Sequence, residues 1–374
     1  MKKLSIVISF LGNAYHDSRV VNLTESLQED GHFVKVISFD WETPNFKPIT
    51  GNTSVQKLSK EKSSLFFYFK FIWLLIKGLL KTKADIYIAE DIYTLPFVYY
   101  IAKYRKAKVY YNSREFYAFL AGLRNKSVVQ NIIRKIESAF ITKVDLVLTT
   151  GEMDSEFLEE YYSIKNTLVI RNIPKLAIPT EDIDLREKLG ISKESKILLY
   201  QGVLLEGRGL QIAIKSLKDL ENCELVIIGD GPFRGKFEMI AEEFSISDKV
   251  HFLGKVPHKD LMNYTASADF GLCLIENISK SYYYALPNKL FEYIMSGLPI
   301  ISSNLPQMKK IVEDYKIGKV VEIEKKENIT QELNEIINDD SSVKSYKLNS
   351  REAAKELNWQ REFAKVRSKL LDVT

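Results

Sequence analysis

Short apolar runs alternate with amphipathic stretches along this chain, and the whole alternation occurs twice. Apolar runs without polar interruption are typical of strands in a parallel sheet that is covered on both faces. The stretches between them repeat apolar residues at helical spacing, so the pattern predicts an α/β fold. The predicted strands cover 4–10, 33–39, 86–89, 108–111, 146–149 and 168–170, and then 197–201, 225–228, 250–253, 270–274 and 300–302.

The two series of strands are separated by residues 173–184, where two prolines and a group of acidic residues interrupt the pattern. This break predicts two doubly wound, Rossmann-like domains, at 1–173 and 174–350. A C-terminal helix at 351–374 is expected to pack back toward the first domain. Open α/β sheets bind ligands at the carboxyl ends of their strands, so we expect a ligand in a cleft across which the two domains face each other.

Composition excludes several classes of protein. With 45% hydrophobic and 27% charged residues among 374, the chain is an ordinary globular protein. Its two cysteines, Cys223 and Cys273, lie in apolar runs, which excludes a disulfide scaffold. The four histidines form no H-x-x-x-H pair, so we expect no bound metal. A net charge of +4 is too small to indicate a nucleic-acid partner.

The N-terminus, MKKLSIVISFLG, begins like a secretory signal. Its apolar stretch is short and no small-residue cleavage site follows, so a first strand is the better interpretation. No stretch approaches the ~20 apolar residues that a membrane span needs. We therefore expect a cytoplasmic protein.

The segment 57–83 concentrates positive charge and aromatic residues, with seven Lys and one Glu. A basic, aromatic-rich helix can lie in a membrane interface, where apolar burial and attraction to anionic lipids hold it. The alternative is a helix packed against a sheet, with its lysines extended outward. We favour the first because the apolar content exceeds what one covered face requires. It places residues 63–83 at the inner face of the cell membrane, with the protein bound peripherally.

The segment 284–304, YALPNKLFEYIMSGLPIISSN, predicts a helix followed by a strand. Pro287 suits the first helical turn, where a missing N–H costs nothing. The N-terminus of such a helix is an anion site, and Asn288 and Lys289 stand there as donor and cation. Glu292 lies one turn further on, within reach of a hydroxylated group beside that anion. Taken alone, Glu292 would more simply be a solvated helix residue.

This segment resembles the donor site of family-4 glycosyltransferases, which have the GT-B fold. The resemblance extends to YQGVLLEGRGL at 200–210, LVIIGDGP at 225–232 and HFLGKVPHKDL at 251–261. The form PNKLFEY at 287–293 is similar to a bacterial subset that builds surface glycans. The resemblance implies retaining transfer from a UDP or GDP sugar to a glycan or lipid-linked acceptor, without a metal or other cofactor.

The resemblance also assigns donor-site roles to individual residues. Gly202 lies in the glycine-rich turn, and Arg208 corresponds to the cation that holds the diphosphate. Glu292 corresponds to the glutamate that binds the nucleotide ribose. Asn288 and Lys289 are expected to share the remaining contacts.

Three positions depart from the pattern of many family members. Tyr284 stands where they carry a second glutamate, Val203 where they carry an arginine, and Pro287 where they have a glycine. Two rival functions stay open, the first favoured by Tyr284 and Val203 and the second by a two-domain fold that such enzymes can share. One is a non-catalytic sugar-nucleotide-binding subunit of a transferase complex, and the other is a sugar-nucleotide epimerase.

The first domain carries candidate residues near predicted strand ends. By the same resemblance, Gly12 would lie in a loop facing the donor phosphates, and HDSRV at 16–20 begins the first helix, which makes His16 and Asp17 acceptor-side candidates. Arg114 and Glu115, in YYNSREFY, would position an acceptor hydroxyl or steady the leaving phosphate; a salt-bridged loop pair is equally open. Two further acceptor-side candidates, in AEDIYTLP, are Glu90 and Asp91, for which a helix N-terminal acidic pair is the alternative.

Overall fold

The computed structural model describes residues 3–43, 46–60, 63–181, 183–324 and 329–373. The chain forms two compact units, the first made of Met1–Asn172 with Glu362–Thr374 and the second of Ile173–Arg361. The division falls one residue before the predicted boundary. The segment 351–374 is not the single helix expected. Asn358 breaks it, because its side chain accepts the Arg361 N–H at 3.1 Å and so starts a new helix.

The first unit contains the six predicted strands and a seventh, at Thr53–Lys57, that was not predicted. The strands are β1 (Ser5–Ser9), β2 (Phe33–Asp40), β3 (Thr53–Lys57), β4 (Ile86–Ala89), β5 (Lys108–Asn112), β6 (Leu146–Thr149) and β7 (Thr167–Val169). The helices are α1 (Ser18–Glu29), α2 (Ser64–Lys81), α3 (Leu95–Tyr104), α4 (Ser127–Ile141) and α5 (Glu152–Tyr162). Across the described residues the strands form one parallel sheet in the order β3-β2-β1-β4-β5-β6-β7.

The second unit repeats this plan. Its strands are β8 (Lys196–Gln201), β9 (Cys223–Ile228), β10 (Val250–Gly254), β11 (Phe270–Cys273), β12 (Ile300–Ser303) and β13 (Gly318–Val321). Its helices are α6 (Leu185–Leu189), α7 (Leu210–Leu217), α8 (Arg234–Glu243), α9 (His258–Ala266), α10 (Lys280–Tyr283), α11 (Asn288–Met295), α12 (Pro306–Asp314), α13 (Ile329–Ile337) and α14 (Asp340–Glu356). The last helix, α15 (Trp359–Leu370), begins in this unit and ends in the first.

The parallel sheet of the second unit runs β10-β9-β8-β11-β12-β13. Strand order reverses between β8 and β11, as it does between β1 and β4 in the first unit. In open α/β sheets, ligands bind beyond the carboxyl ends of the strands at such reversals. We therefore expect ligands to bind at the segments that follow β8 and β11 in the second unit, and at those that follow β1 and β4 in the first.

Helix α2 has one buried stripe and a large exposed apolar surface. Phe67, Phe71, Leu75 and Leu79 repeat every four residues and are buried, with the Phe71 ring centroid 4.9 Å from that of Phe39. The stripe packs on the sheet as a conventional core helix does. The exposed apolar and aromatic side chains of the same helix are Leu65, Phe66, Tyr68, Phe69, Trp73 and Leu80.

Within the described ranges, no helix is both long and apolar enough to span a bilayer.

The end of the chain is fixed to the first unit through Glu362. This side chain is 3% exposed, and its Oε1 accepts the Arg171 N–H at 2.8 Å while its Oε2 lies 3.3 Å from Arg171 Nη1. Glu362→Ala leaves the Arg171 N–H without its acceptor, so the free energy of unfolding should fall by about 1–3 kcal/mol. Urea denaturation of parent and variant measures the change.

The matched control is Glu352→Ala. Glu352 is exposed and pairs with Lys355 three residues along the same helix. Exposed pairs contribute ~0–1 kcal/mol, so this variant should unfold close to the parent. Equal destabilisation by the two substitutions would contradict the role assigned to Glu362.

Candidate functional site

The glycine-rich turn after β8 brings several chain segments into close approach. Gly209 has a φ of +78°, and a Cβ there would lie 1.9 Å from the Leu274 carbonyl oxygen. Gly202 has a φ of +129°, and its added Cβ would lie 4.0 Å from Cε of Lys289. The turn therefore packs against the chain that leaves β11 and against the start of α11.

Helix α11 begins directly after Pro287, which has an extended backbone with φ −77° and ψ 147°. Pro287 thus precedes the helix and does not lie inside its first turn as predicted. Asn288 is the first helical residue and is exposed. In the part of the chain that the structure describes, no side chain caps this turn. Its free N–H groups and the helix dipole favour a bound anion.

Lys289 is buried at this helix end, with 6% of its surface exposed. Its Nζ lies 3.5 Å from the ring centroid of Tyr200. It finds no hydrogen-bond acceptor among the described residues. Burial lowers the pKa of the Lys289 ammonium to about 7, a change that Cys273 and Glu292 oppose and Arg208 reinforces. A buried amine without an acceptor is ready to pair with an anionic ligand.

Glu292 is held in one orientation by a short hydrogen-bond chain. Gln201 Nε2 donates to its Oε2, and the Thr265 hydroxyl lies 2.8 Å from Gln201 Oε1. On the other carboxylate oxygen, His258 Nε2 lies 3.9 Å away. Burial raises the pKa of Glu292, and the Gln201 hydrogen bond, His258 and Lys289 oppose that rise. The carboxylate keeps 21% exposure, so it can still accept a hydrogen bond from a ligand.

Arg208 stacks on Tyr282, with its guanidinium carbon 4.6 Å from the ring centroid. The Tyr282 hydroxyl lies 3.4 Å from the Glu206 carbonyl oxygen, which fastens the same turn. Arg208 is close enough to Lys289 to depress its pKa. The second unit thus brings together four of the predicted donor-site residues, namely Gly202, Arg208, Lys289 and Glu292.

Sequence analysis did not single out the residues that hold these groups in place. Gln201 is the last residue of β8, and its position directly before Gly202 was the available signal. His258 lies in the segment 251–261 that was matched to the family, where it was not singled out. Thr265 carried no signal, because only the fold brings it to Gln201. The aromatic platforms Tyr200 and Tyr282 were also missed.

The two positions where the family often carries a charged residue make the following local contacts. The Tyr284 carbonyl accepts from Gln307 Nε2 at 2.6 Å, and its ring lies 5.0 Å from that of Tyr283. Val203 is 58% exposed, and its carbonyl accepts from the Tyr200 hydroxyl at 2.9 Å. Neither position adds a charge to the site.

In the first unit, Arg114 follows β5 and forms an ion pair with Asp17. Asp17 also caps α1, because its Oδ1 accepts the Val20 N–H at 2.9 Å. Burial acts to lower the pKa of Arg114, but the carboxylates of Asp17 and Glu90 outweigh it, so the pKa is raised. Arg114 is therefore a permanently charged group, held by a residue that was itself an acceptor-side candidate.

A buried polar cluster adjoins this pair. Asn112 Nδ2 donates to Glu90 Oε2 at 2.8 Å, and Arg19 Nη2 lies 3.5 Å from the Thr149 carbonyl oxygen. Glu90 Oε1, Asn112 Oδ1, and Arg19 Nε and Nη1 have no partner within the described ranges. Burial raises the pKa of Glu90 and lowers that of Arg19 to about 10. Arg19 was not predicted, and the acceptor-side candidate Glu90 is fully buried.

Asp91 holds the local backbone together. Its two oxygens accept the N–H groups of Thr94 at 2.8 Å and of Leu11 at 2.5 Å. The carbonyl of Gly12 accepts the Phe39 N–H at 2.9 Å, which ties the loop after β1 to β2. Both residues therefore shape the end of the sheet. The other two predicted residues of this unit, His16 and Glu115, are exposed.

The described residues offer few groups that could bind a metal ion or act as a thiolate nucleophile. Across the described residues, no three His, Cys, Asp or Glu side chains are grouped so as to hold a metal ion. Cys223 and Cys273 are buried and unpaired. Burial raises the pKa of Cys223 to about 12 and that of Cys273 to about 11, so neither is a ready thiolate nucleophile.

Two family models match the chain in turn. Residues 17–173 match the model described as Glycosyltransferase Family 4, and residues 181–355 match the model described as Glycosyl transferases group 1. The matches leave only residues 1–16, 174–180 and 356–374 outside. Each half of the chain therefore corresponds to a glycosyltransferase domain.

Curated relatives include alpha-monoglucosyldiacylglycerol synthase of Streptococcus pneumoniae, 25% identical over 50% of this chain and 44% of that protein. Another is the N-acetylgalactosamine-N,N'-diacetylbacillosaminyl-diphospho-undecaprenol 4-alpha-N-acetylgalactosaminyltransferase of Campylobacter jejuni, 25% identical over 58% of each chain. These matches span about half the length of the relatives.

Solved structures share the fold over the whole chain. Sucrose-phosphate synthase from Thermosynechococcus elongatus has a TM-score of 0.81 at 16% identity, with both chains fully covered. HepE of Anabaena, in complex with UDP and glucose, has a TM-score of 0.74 at 14% identity, covering 98% of this chain and 99% of that one. These likenesses confirm the predicted GT-B fold.

The hydrogen bond from Gln201 predicts how stability depends on pH. Gln201→Leu removes the donor that opposes the raised pKa of Glu292, so that pKa should rise further. A carboxyl with a raised folded-state pKa loses stability as the pH rises through that pKa. The variant should therefore be destabilised more at pH 7.5 than at pH 5, with the difference widening by about 1–2 kcal/mol. Thermal melting at both pH values measures it.

Gln307→Leu is the matched control. Gln307 is also a buried glutamine, but its Nε2 donates to the Tyr284 carbonyl, which does not ionise. The loss of stability caused by Gln307→Leu should be the same at pH 5 and at pH 7.5. A pH-independent cost for Gln201→Leu would show that its hydrogen bond does not act on the ionised form of Glu292.

Proposed function

The chain belongs to the family-4 glycosyltransferases of the GT-B fold, and we propose that it moves a sugar from a UDP or GDP sugar to a glycan or lipid-linked acceptor. In this proposal the configuration at the transferred sugar is retained. The product is part of a bacterial surface polysaccharide. Neither a metal nor another cofactor takes part, and cationic groups of the second unit act in place of a metal.

The observation that carries the proposal is the uncapped N-terminus of α11 with Lys289 buried beside it. A nucleotide diphosphate presents at least two negative charges within a few ångströms of each other. The helix end offers N–H donors, Lys289 offers an amine that lacks an acceptor among the described residues, and Arg208 adds a guanidinium. Phosphate groups favour this combination of donors and cations.

Glu292 supplies the second half of donor recognition. It lies one turn beyond the proposed diphosphate position, and its carboxylate can accept hydrogen bonds from the ribose hydroxyls. Gln201 and Thr265 hold the carboxylate before the nucleotide arrives, so less conformational entropy is lost on binding. Asn288 is exposed at the first position of the helix, and we assign it to the solvent-facing side of the bound diphosphate.

The proposed mechanism needs charge stabilisation more than it needs a nucleophile. As the bond from the sugar to the diphosphate breaks, negative charge grows on the leaving phosphate oxygen. Arg208, Lys289 and the α11 dipole stabilise that charge. The acceptor attacks from the same face of the sugar, and the leaving phosphate oxygen takes the acceptor proton. Configuration is thus retained without a covalent intermediate.

The first unit is assigned to the acceptor. Arg114 and Glu115 are proposed to position the acceptor hydroxyl or steady the leaving phosphate, with Asp17 holding Arg114. The names of two relatives include a lipid, diacylglycerol in one and diphospho-undecaprenol in the other. These names support a lipid-linked acceptor for this chain.

A second candidate function is a sugar-nucleotide-binding subunit that assists a partner transferase. Tyr284 and Val203 favour it, because each replaces a charged residue found in many family members. Turnover separates the two functions. A binding subunit retains nucleotide affinity but cleaves no donor, even when native lipid extract supplies the acceptor.

Removing the Glu292 carboxylate tests the donor site. Glu292→Ala deletes a charge-assisted hydrogen bond, worth about 1.5–3 kcal/mol, so affinity for the preferred nucleotide should fall about 10- to 150-fold. Calorimetric titration with UDP, GDP, ADP and CMP identifies that nucleotide and measures the loss. Unchanged affinity would remove Glu292 from ribose recognition.

The control for this measurement is Glu243→Ala. Glu243 is exposed near the end of α8 in the same unit. It should bind nucleotide as the parent does. Loss of affinity in both variants would indicate a general effect of charge on the unit.

We also propose that residues 63–83 hold the first unit on the inner face of the cell membrane. Leu65, Phe69 and Trp73 are 86%, 70% and 53% exposed. Lys77 Nζ lies 4.7 Å from the ring centroid of Trp73, and Lys81 is exposed in the last turn. Apolar groups interleaved with lysines match an anionic lipid surface in both respects.

The surface extends beyond α2. Helix α3 packs beside α2 and α4 packs beside α3. Together these three helices contain six Lys or Arg residues and a single carboxylate, Glu137. Glu137 is buried and accepts from Tyr111 and Tyr162 at 2.7 Å each, so it does not offset the positive charge at the surface. Exposed apolar residues of α3 and α4 include Tyr100, Tyr104, Val128 and Ile132.

Replacing Leu65, Phe69 and Trp73 together by Ser should reduce binding to vesicles that contain phosphatidylglycerol by about tenfold or more, because their apolar area can no longer enter the interface. Co-sedimentation with anionic and with zwitterionic vesicles measures it, and the parent should prefer the anionic ones. The control replaces Ile178, Met239 and Leu348 by Ser, three exposed apolar residues of the second unit. Vesicle binding by the first variant at the parent level would exclude this surface.

A further inference from the structure

Lys289 is buried against the face of an aromatic ring, which attracts an ammonium but is a weaker partner for it than an anion. From the second residue of α11 its side chain passes Gly202 and ends on the Tyr200 ring, 3.5 Å from the centroid. It is 6% exposed, and nothing in the described part of the chain accepts a hydrogen bond from its Nζ. An ammonium placed this way loses its hydration without gaining an anion.

The groups that face Lys289 come from four elements. The face of the Tyr200 ring attracts the ammonium. Cys273 and Glu292 act to raise its pKa, but burial outweighs them. On β8, burial raises the pKa of Tyr200, which therefore stays a neutral phenol. On β11, Cys273 stays a thiol, since burial raises its pKa to about 11. In the turn before α7, Arg208 repels a second cation. On α11 itself Glu292 attracts the ammonium, but Gln201 already donates to that carboxylate.

We infer that nucleotide diphosphate binding by this protein is coupled to proton uptake at Lys289, whose buried amine lacks an anion among the described residues and becomes the charged partner of the diphosphate. The inference rests on the proposed donor site and deepens it. The bound diphosphate supplies the anion that the free protein lacks. Lys289 Nζ takes one proton from solvent, and no covalent bond is made or broken.

The sign of the pH dependence follows from this cycle. Below pH 7 Lys289 is already charged in the free protein, so binding takes up no proton there. Above its free-state pKa of about 7, each binding event must add a proton, and the affinity falls as the pH rises. The affinity for the nucleotide should fall by up to about tenfold per pH unit, until the pH reaches the pKa that Lys289 has in the complex.

Titration calorimetry at pH 8 in buffers of different ionisation enthalpy, such as HEPES and Tris, counts the protons directly. The probe is UDP, or GDP or ADP if that nucleotide binds better at pH 6.5. We expect uptake of close to one proton per nucleotide by the parent protein. The matched variant is Lys289→Arg, whose guanidinium is always charged and which retains every other titrating group, including those of the nucleotide. Its uptake should fall by nearly one proton, and its affinity should change little between pH 6.5 and 8.5.

The outcomes separate this inference from the proposed function. If none of the three nucleotides binds at pH 6.5, the donor site itself fails. If nucleotide binds with no proton uptake at pH 8, or if Lys289→Arg takes up as many protons as the parent, the donor site stands and the inference is overturned. If Lys289→Arg unfolds at a lower temperature than the parent, Lys289→Met replaces it in the same measurement. It should bind more weakly at pH 6.5 than the parent and lose the same proton.

Discussion

Tyr293 fixes helix α11 to the middle of the second unit, and the site depends on that attachment. Its fully buried side chain places the hydroxyl 3.1 Å from the Leu199 carbonyl oxygen and 3.3 Å from that of Leu272. These carbonyls belong to β8 and β11, the two strands on either side of the reversal in strand order. The ring occupies the space above Gly271, where a Cβ would lie 2.4 Å from it. Rotation of the helix would break buried hydrogen bonds, so its two charged site residues keep their orientation.

The sequence predicts the architecture well because strands of a buried parallel sheet consist of near-continuous apolar residues. Most predicted strands agree with the structure to within two residues. The two that were missed lie at sheet edges: β3 reads TSVQK and β13 reads GKVV, and each is too polar or too short to stand out. The sequence of α2 shows an excess of apolar residues but does not indicate which of them face the sheet. The fold sends Phe67 and Phe71 inward and leaves Phe69 and Trp73 outside.

The candidate site was predictable only where its residues are close together in the chain. Lys289 and Glu292 lie on one helix whose start is indicated by Pro287. The segment 284–304 was therefore sufficient to predict both residues. The support for Glu292 comes from Gln201 and Thr265, which lie on separate elements that the fold brings together. Arg19 was missed for the same reason, since its burial depends on how the strand ends of the first unit pack. Local sequence predicts the reactive groups, and tertiary structure supplies the residues that orient them.

The inclusion of Glu362–Thr374 in the first unit affects how the protein is made. Phe363, Val366 and Leu370 are buried there, so their partners remain uncovered until residues 363–370 have been synthesised. On the ribosome, the whole of Ile173–Arg361 must emerge first. At about 5–20 residues per second this delay is on the order of ten to forty seconds. During this interval the N-terminal part of the first unit lacks the side chains that cover its apolar face, so synthesis order and domain boundaries do not coincide in this chain.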